Sequence, residues 1–292
     1  MPYTWFKEGP VKDAACAPPR LLVINFSGGV QSTALVYMVL RGELPLPVSL
    51  SNVVVLTADP GMEMTGTYET VRQVQAACEE AGVRAYTVEG PSLYEDLTRD
   101  PAPTRLDNPP YFVSKGRGEK PGRLRQKCTR QYKIRPMNRA VRDELRLRGI
   151  PVRGPRAHGV VEKWIGFPLD EVHRFSMPDN DYERFKFPLA DLRMTKADVK
   201  SWLEKQGLPV PGRSVCAACF ANTPAFFCRM KDNDPEAWAK AVAVDTAVRR
   251  HPAMAGMGAI FVSDTMRPLA SIVGSDDADR DELSCDTGYC FL

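Results

Sequence analysis

Residues 21–33 read Leu-Leu-Val-Ile-Asn-Phe-Ser-Gly-Gly-Val-Gln-Ser-Thr, and no other stretch restricts the fold of this chain as much. An apolar run of strand length meets Ser27-Gly28-Gly29, then Gln31-Ser32-Thr33, and helix-forming residues continue to Leu40. A strand, a glycine turn and a helix start point several backbone N–H groups and the positive end of a helix dipole at one small volume. That arrangement suits a phosphate chain. Gly28 and Gly29 permit positive φ and close approach of the backbone, and Ser27, Ser32 and Thr33 add hydroxyl donors. The spacing fits neither common phosphate loop: no Lys-Ser/Thr pair closes it, and no third glycine follows at dinucleotide spacing. A tight strand–helix turn without a ligand is the plain alternative.

The segments that follow repeat the alternation. Residues 52–57 are short, apolar and β-branched like a buried parallel strand, a helix is expected over 65–81 with Gly82 as its stop, and residues 84–88 make a third strand. Strands and helices alternating at this spacing predict an α/β fold, a Rossmann-like parallel sheet covered on both faces. Ligands of such sheets bind beyond the carboxyl ends of the strands, where both the Ser27 turn and Asp59 fall. Residues 90–125, rich in Pro, Gly and charge, are expected as a long loop over the site. Further helices are expected over 130–148, 195–206 (capped by Thr195 and Asp198) and 235–250, with strands at 158–166 and 259–263. The organisation expected is an irregular lead-in at 1–20, a nucleotide-binding domain at 21–210 with a basic loop at 90–127, and a cysteine-containing extension and tail at 211–292. Neither an internal repeat nor a long low-complexity tract is present.

The 292 residues are 43% hydrophobic and 26% charged, as in an ordinary soluble protein. No run approaches the roughly 18 apolar residues of a membrane span. The N-terminus lacks the order of a secretory signal, so a cytoplasmic protein without membrane association is expected, as a homo-oligomer. The net charge of +3 conceals an asymmetry. Between Lys115 and Arg156 fifteen Lys/Arg face three acids, Glu119, Asp143 and Glu144, and the remainder is net acidic. Such a block implies an anionic partner: nucleotide phosphates, a sulfated or phosphorylated substrate, or a DNA or RNA backbone. A solvated loop at 115–125 is the bland reading. Eight cysteines in a chain of this kind argue for metal or redox use rather than a disulfide framework. Cys216 and Cys219 form a Cys-x-x-Cys, Cys285 and Cys290 lie near the C-terminus, Cys128 lies in the basic block, and Cys16, Cys78 and Cys228 are isolated.

With these pieces in order, the chain resembles the PP-loop ATP pyrophosphatase superfamily, of adenine nucleotide alpha hydrolase type, in its branch of adenylyl-sulfate and phosphoadenylyl-sulfate (APS/PAPS) reductases. The resemblance covers roughly residues 20–230. Ser27-Gly28-Gly29-Val30-Gln31-Ser32 is similar to the family's Ser-Gly-Gly-x-x-Ser loop, and Thr57-Ala58-Asp59-Pro60-Gly61-Met62-Glu63 to its Asp-Thr-Gly strand end. Cys128-Thr129-Arg130-Gln131-Tyr132-Lys133-Ile134-Arg135-Pro136 resembles Cys-Cys-x-x-Arg-Lys-Val-x-Pro of the iron–sulfur reductases. Residues 166–174, with Asp170, Glu171 and Arg174, resemble Gly-x-Arg-x-x-Glu-Ser-x-x-Arg. Residues 187–192, 198–203 and 216–219 follow the family's Pro-Leu, Asp-Val and Cys-x-x-Cys order. Thr129 stands where the family has its second cysteine, Phe167-Pro168 where it has an arginine, and the tail around Cys285 and Cys290 matches the reductase tail in position but not in letters.

The residues and the resemblance together name candidate sites. Ser27, Gly28, Gly29, Gln31, Ser32, Thr33, Asp59, Lys133 and Arg174 would bind ATP or another adenine nucleotide. Asp59 and Glu63 would hold Mg²⁺ or ribose hydroxyls, with plain helix capping as the alternative for Asp59. Asp170, Glu171 and Arg174 are a substrate-side group or a surface ion pair, with Glu171 and Asp59 as catalytic carboxylates. Cys128, Cys216, Cys219 and a fourth ligand, Cys290, Cys285, Cys228 or none, would hold a metal. Cys128 at a helix start has the setting that favours thiolate, and Lys127, Arg130 and Lys133 offset cluster charge. Thiolates in this number suit a [4Fe–4S] cluster, with tetrahedral Zn²⁺ as competitor, and the resemblance favours iron–sulfur. The first function implied is adenylation of a substrate oxygen with pyrophosphate release, then sulfur transfer delivered by the cluster or by Cys285 and Cys290, in nucleic-acid or nucleotide modification. A sulfur donor or thiol reductant protein would be its partner. APS/PAPS reduction with a tail cysteine as nucleophile is the second reading. A non-catalytic nucleotide- or nucleic-acid-binding module with a structural metal is the third.

Overall fold

The two apolar runs nearest the N-terminus lie side by side as parallel strands in the computed structural model, which describes residues 18–102, 109–114 and 122–272. In chain order the first elements are β1 (Leu21–Asn25), α1 (Val30–Leu40), β2 (Val53–Ala58), α2 (Thr65–Glu80) and β3 (Arg84–Val88). After α3 (Leu93–Thr98), β4 (Phe112–Ser114) and β5 (Gly122–Arg123), α4 (Arg135–Leu147) returns the chain to the sheet through β6 (Val161–Ile165) and β7 (Glu183–Lys186). Among the described residues that follow are α5 (Pro188–Asp191), α6 (Lys196–Lys205), α7 (Pro224–Asn233), α8 (Pro235–Val248), β8 (Ala259–Phe261) and α9 (Leu269–Ile272).

The main sheet is parallel, in the order β3-β2-β1-β6-β7, with Leu22 opposite Val53 and Leu21 opposite Val161. Side chains of a strand alternate between faces, and here both faces are covered. Leu22, Ile24, Val53 and Val55 pack with α1, with Val71 and Val74 of α2, and with Val199 and Leu203 of α6. Leu21, Val23, Val54 and Leu56 pack on the other side against Val141 and Leu145 of α4. Each such buried aliphatic side chain contributes roughly 1.5–3 kcal/mol relative to exposure. The α/β parallel sheet expected from the sequence is the observed fold class.

Two expectations are corrected, and one strand is found that the sequence did not suggest. The stretch 90–125 is not one long loop: Ser92 caps α3 by accepting from the Glu95 N–H, and β4 pairs antiparallel with both β5 and β8. Its partner strand comes from residues 259–261, too far along the chain for local patterning to reveal. The helix expected over 130–148 opens with a π turn, Arg130–Ile134, before α4 proper. Strand β7, Glu-Arg-Phe-Lys, carries no apolar run; Glu183 and Arg184 are accommodated by pairing with Lys163 and Glu162 of β6. A third core lies apart from the sheet, where Leu93, Leu97, Tyr111 and Val113 meet Phe227, Val244 and Val248. Among the described residues no helix is long and apolar enough to cross a membrane.

Candidate functional site

A cavity of about 320 Å³ opens at the carboxyl ends of β1 and β6, where the strand order reverses direction. Crevices of parallel sheets take their ligands at such switch points. Ser27, Gln31 and Ser32 form one wall. The Ser32 hydroxyl organises the turn, accepting from the Ser27 N–H at 3.2 Å, donating to the Gly29 carbonyl at 3.2 Å and meeting the Ser27 hydroxyl at 3.1 Å. Gly28 has φ +79, and a Cβ there would sit 2.8 Å from Thr67 Cγ2, so the turn requires glycine both conformationally and sterically. Gly166 lets the end of β6 lie against the start of α1, since its Cβ would meet Ser32 N at 3.1 Å. Gly28 and Gly29 thus shape the turn. Thr33 is buried in α1 and donates its N–H to Gly29, so it supports the wall and does not line it.

The acidic residues divide differently from the sequence expectation. Asp59 Oδ1 accepts from the Gly61 N–H at 2.7 Å and the Tyr68 hydroxyl at 2.9 Å, holding the β2–α2 turn instead of facing the cavity. It does not cap α2, which Met64 precedes. Burial, and then the neighbouring Asp59, push the Tyr68 hydroxyl well above its ordinary value. Glu63 does face the cavity and is 5% exposed. Its Oε1 accepts from Lys133 Nζ at 2.8 Å, while its buried Oε2 has no hydrogen-bond partner among the described residues.

Glu171 and Arg174 line the same cavity. Arg174 Nη1 donates to Glu171 Oε2 at 2.5 Å, and Lys196 Nζ lies 3.1 Å from Oε1. Glu171 is buried and the Arg174 side chain is only 11% exposed, so it is not the surface ion pair that the sequence left open. The Arg174 guanidinium lies 4.2 Å over the Phe167 ring, which stacks with Phe175 and Phe187. Asp170 is exposed and accepts from the Lys196 N–H. Sequence reasoning missed Asn138, Lys163 and Glu183, which also line the cavity. The available signal was Glu162-Lys163 inside an otherwise apolar strand, where charge requires a partner.

Cys128, Cys216 and Cys219 line a second, smaller cavity of about 40 Å³, with Met62, Leu93 and Phe220. Thr129 and Lys133 line both cavities and form the wall between them. The Cys-x-x-Cys turn is anchored to the rest of the site. The Ser214 hydroxyl donates to the Ser27 carbonyl at 2.6 Å, and the Ala217 N–H to the Met62 carbonyl at 2.7 Å. Asn222 Nδ2 donates to the Cys216 and Ala217 carbonyls, both at 3.1 Å. Cys216 Sγ faces Glu63 Oε1 at 3.7 Å. The buried Tyr111 hydroxyl donates to the Ala218 carbonyl, and burial together with the three surrounding sulfurs raises its proton affinity. Cys78, Cys128, Cys216, Cys219 and Cys228 are thiols, and burial pushes the Cys78 thiol up to about 12.

Among the described residues, no three His, Cys, Asp or Glu side chains are gathered into a ready metal cage. In chemistry, three soft thiol donors on one apolar-walled cavity fit a thiolate-bound cluster or zinc. Cys16, Cys285 and Cys290 lie outside the described residues. Of the basic block, Arg123, Arg125, Lys127, Arg130, Arg135, Arg139 and Arg146 are exposed, beside the thiol cavity and along α4.

No family model matches the chain, and no curated protein does. Among solved structures, the U34-tRNA thiolase NcsA from Methanococcus maripaludis with its [4Fe-4S] cluster is similar to it, covering 87% of this chain and 80% of that chain at 14% identity with a TM-score of 0.39.

Proposed function

We propose that this chain is an ATP-dependent sulfurtransferase that exchanges a carbonyl oxygen of a nucleotide or nucleic-acid acceptor for sulfur. The observation that carries the reading is the shared wall: Thr129 and Lys133 bound both the cavity beside the Ser27 turn and the cavity of Cys128, Cys216 and Cys219. Chemistry begun in one can be finished from the other over one side chain's thickness.

The Ser27 turn, with Gln31 and Ser32, would hold the pyrophosphate end of ATP, and Lys133 and Arg174 would balance its charge. The acceptor's carbonyl oxygen attacks the α-phosphorus, the bond from phosphorus to the bridging oxygen breaks, and pyrophosphate leaves. The orphan Oε2 of Glu63 is a carboxylate oxygen available to Mg²⁺ on that leaving group. A hydrosulfide sulfur then forms the C–S bond, and AMP departs with the former carbonyl oxygen. In sum, acceptor carbonyl, ATP and hydrosulfide become thiocarbonyl, AMP and pyrophosphate. Cys128, Cys216 and Cys219 would hold the [4Fe–4S] cluster, which when bound can carry the sulfur to be transferred. The exposed arginines along α4 suit the phosphates of a nucleic-acid acceptor.

Anaerobic purification followed by an absorption spectrum, iron and zinc analysis and a pyrophosphate assay with bulk tRNA or DNA tests the reading. A brown, oxygen-sensitive protein that releases pyrophosphate only when ATP and nucleic acid are both present is the expected result. A colourless protein with stoichiometric zinc and no pyrophosphate release on either polymer would falsify it.

A further inference from the structure

Residues 122–142 hold eight Lys/Arg and no Asp or Glu. A row of like charges on a folded surface repels itself, so its chemistry points to an anionic partner. The way the backbone presents these side chains says which partner.

The first half is an extended segment. Arg123 of β5 pairs with Phe112 of β4, and the Leu124 N–H donates to the Tyr111 carbonyl at 2.9 Å. Burial then alternates residue by residue. Arg123, Arg125 and Lys127 are exposed, while Leu124 and Cys128 pack on the third core and Gln126 and Cys128 line the thiol cavity. Alternation of this kind sets the three cations on one side, roughly 6.6 Å apart at a strand's rise. Arg123 is also held over the Phe220 ring at 4.9 Å, so the segment is a fixed rail, unlike the solvated loop that the sequence also allowed. The second half is α4. Arg135, Arg139, Arg142 and Arg146 recur at steps of four, three and four, opposite the buried Met137, Val141 and Leu145. Arg135, Arg139 and Arg146 are exposed, with Arg146 offset by Asp143. The two rows meet at the π turn, whose Lys133, with Thr129, bounds both cavities.

Cations on both sides of this wall suit a partner that continues past it in both directions, which a mononucleotide does not. A lipid surface calls for apolar side chains among the cations, and among the described residues no exposed large hydrophobic lies between 122 and 142. A single row on an extended segment tracks one backbone, as in proteins that bind single strands. A duplex keeps its bases stacked, and a base must leave the stack to reach a recessed reactive wall.

We infer that the rail and the α4 row form a track for one unpaired nucleic-acid strand. Its phosphates lie along the two rows, and the nucleotide between them turns its base toward the Thr129–Lys133 wall. That this strand is the sulfur acceptor rests on the sulfurtransferase reading; that the track binds it does not.

The test is fluorescence anisotropy with the full-length protein in the absence of ATP. The probes are labelled DNA and RNA of mixed sequence, about 20 nucleotides long, each alone and annealed to its complement. Single strands of DNA, RNA or both are expected to bind at least about tenfold tighter than the matching duplex. In Arg123→Ala/Arg125→Ala/Lys127→Ala, single-strand affinity should fall roughly tenfold to a hundredfold, with the slope of log affinity against log salt shallower by about two. Arg135→Ala/Arg139→Ala should make that slope shallower by about one. Arg20→Ala/Arg153→Ala/Arg156→Ala removes as much charge at exposed positions before β1 and β6 and should stay within about twofold of wild type. Equal affinity for duplex and single strand overturns the inference. So does undiminished single-strand binding by the rail variant, an equal loss in the Arg20 variant, or displacement by polyglutamate at matched charge. A wild type that binds single strands through the rail yet releases no pyrophosphate with them removes the sulfurtransferase reading and leaves the track, so the two failures are distinct.

Discussion

The two cavities share a wall and otherwise have little in common. Around the sheet ends, charge is held in ion pairs whose carboxylates are buried: Lys163 with Glu183, Arg174 with Glu171, Lys133 with Glu63. Around the three thiols the lining is mostly uncharged, with Met62, Leu93, Val215 and Phe220 beside Gln126, Tyr132 and Ser214, and among the described residues Lys133 is its one formally charged side chain. A region walled with paired ions can stabilise charge that moves during phosphoryl transfer, because its dipoles are already oriented. An apolar region disfavours bare thiolates and retains them only when a metal or neighbouring cation compensates. The two regions meet at Thr129 and Lys133, which line both cavities, and at the contact of Cys216 Sγ with Glu63 Oε1. Their different linings mean that nucleotide binding and metal binding should be separable by mutation.

The largest effect is expected from removing sulfur. In Cys216→Ser/Cys219→Ser, metal content after anaerobic reconstitution should fall on the order of a hundredfold or more, because two of three soft donors are gone. ATP affinity should stay within about threefold of wild type, since the contact from Cys216 Sγ to Glu63 Oε1 at 3.7 Å is the one link to the larger cavity that the change alters among the described residues, and serine keeps a hydroxyl there. Metal analysis and calorimetry on the same preparation check both numbers. A parallel loss of ATP binding would mean that the two cavities are a single energetic unit.

Gly28→Ala is the converse experiment. At φ +79 a side chain costs about 1–2 kcal/mol, and its Cβ would also press on Thr67 at 2.8 Å. The turn should open, with ATP affinity reduced roughly tenfold and Tm lowered by about 3–6 °C. Metal content should be unaffected, because the Cys216 turn is held by Met62 and Asn222 as well as by the Ser27 carbonyl.

The same division explains what could be read from the sequence. The sheet and its glycine turn are written in contiguous residues, as 21–33 and 53–58 show, because apolar runs, glycines and helix stops act locally. The capping box of Thr195 and Asp198 was legible for the same reason. Strand β4 was not, because its pairing with β8 depends on residues remote in sequence. Lys163 and Glu183 were invisible as a pair, since they meet only because β6 and β7 lie side by side, with Glu183 opposite Val161, two residues from Lys163. Asp59 shows the opposite error: its place at a strand end suggested a ligand, but the nearer Gly61 N–H and Tyr68 hydroxyl take the carboxylate, and Glu63 faces the cavity. Motif letters locate a carboxylate to within a turn but do not say which way it points.

The smallest expected effect concerns the sheet half alone and sharpens the contrast through acid. Glu144 of α4 is almost fully buried and receives hydrogen bonds from Arg84 Nε and the Tyr86 hydroxyl, both at 2.8 Å, and from Arg148. Burial by itself would raise this carboxyl, but those three donors outweigh it and hold it below the ordinary value of 4.5. A carboxylate lowered by folding adds stability above its unfolded value and loses it as pH falls through the folded one. Arg84 is largely solvent-exposed, which screens its share, so the contribution is about 1 kcal/mol. Glu144→Gln should therefore lower the urea midpoint slightly at neutral pH and flatten its decline on acidification below pH 4.5. Metal content should remain at the wild-type level, because Glu144 touches no residue of the thiol cavity; a variant that sheds metal would show that the core beneath α4 supports the sulfurs directly.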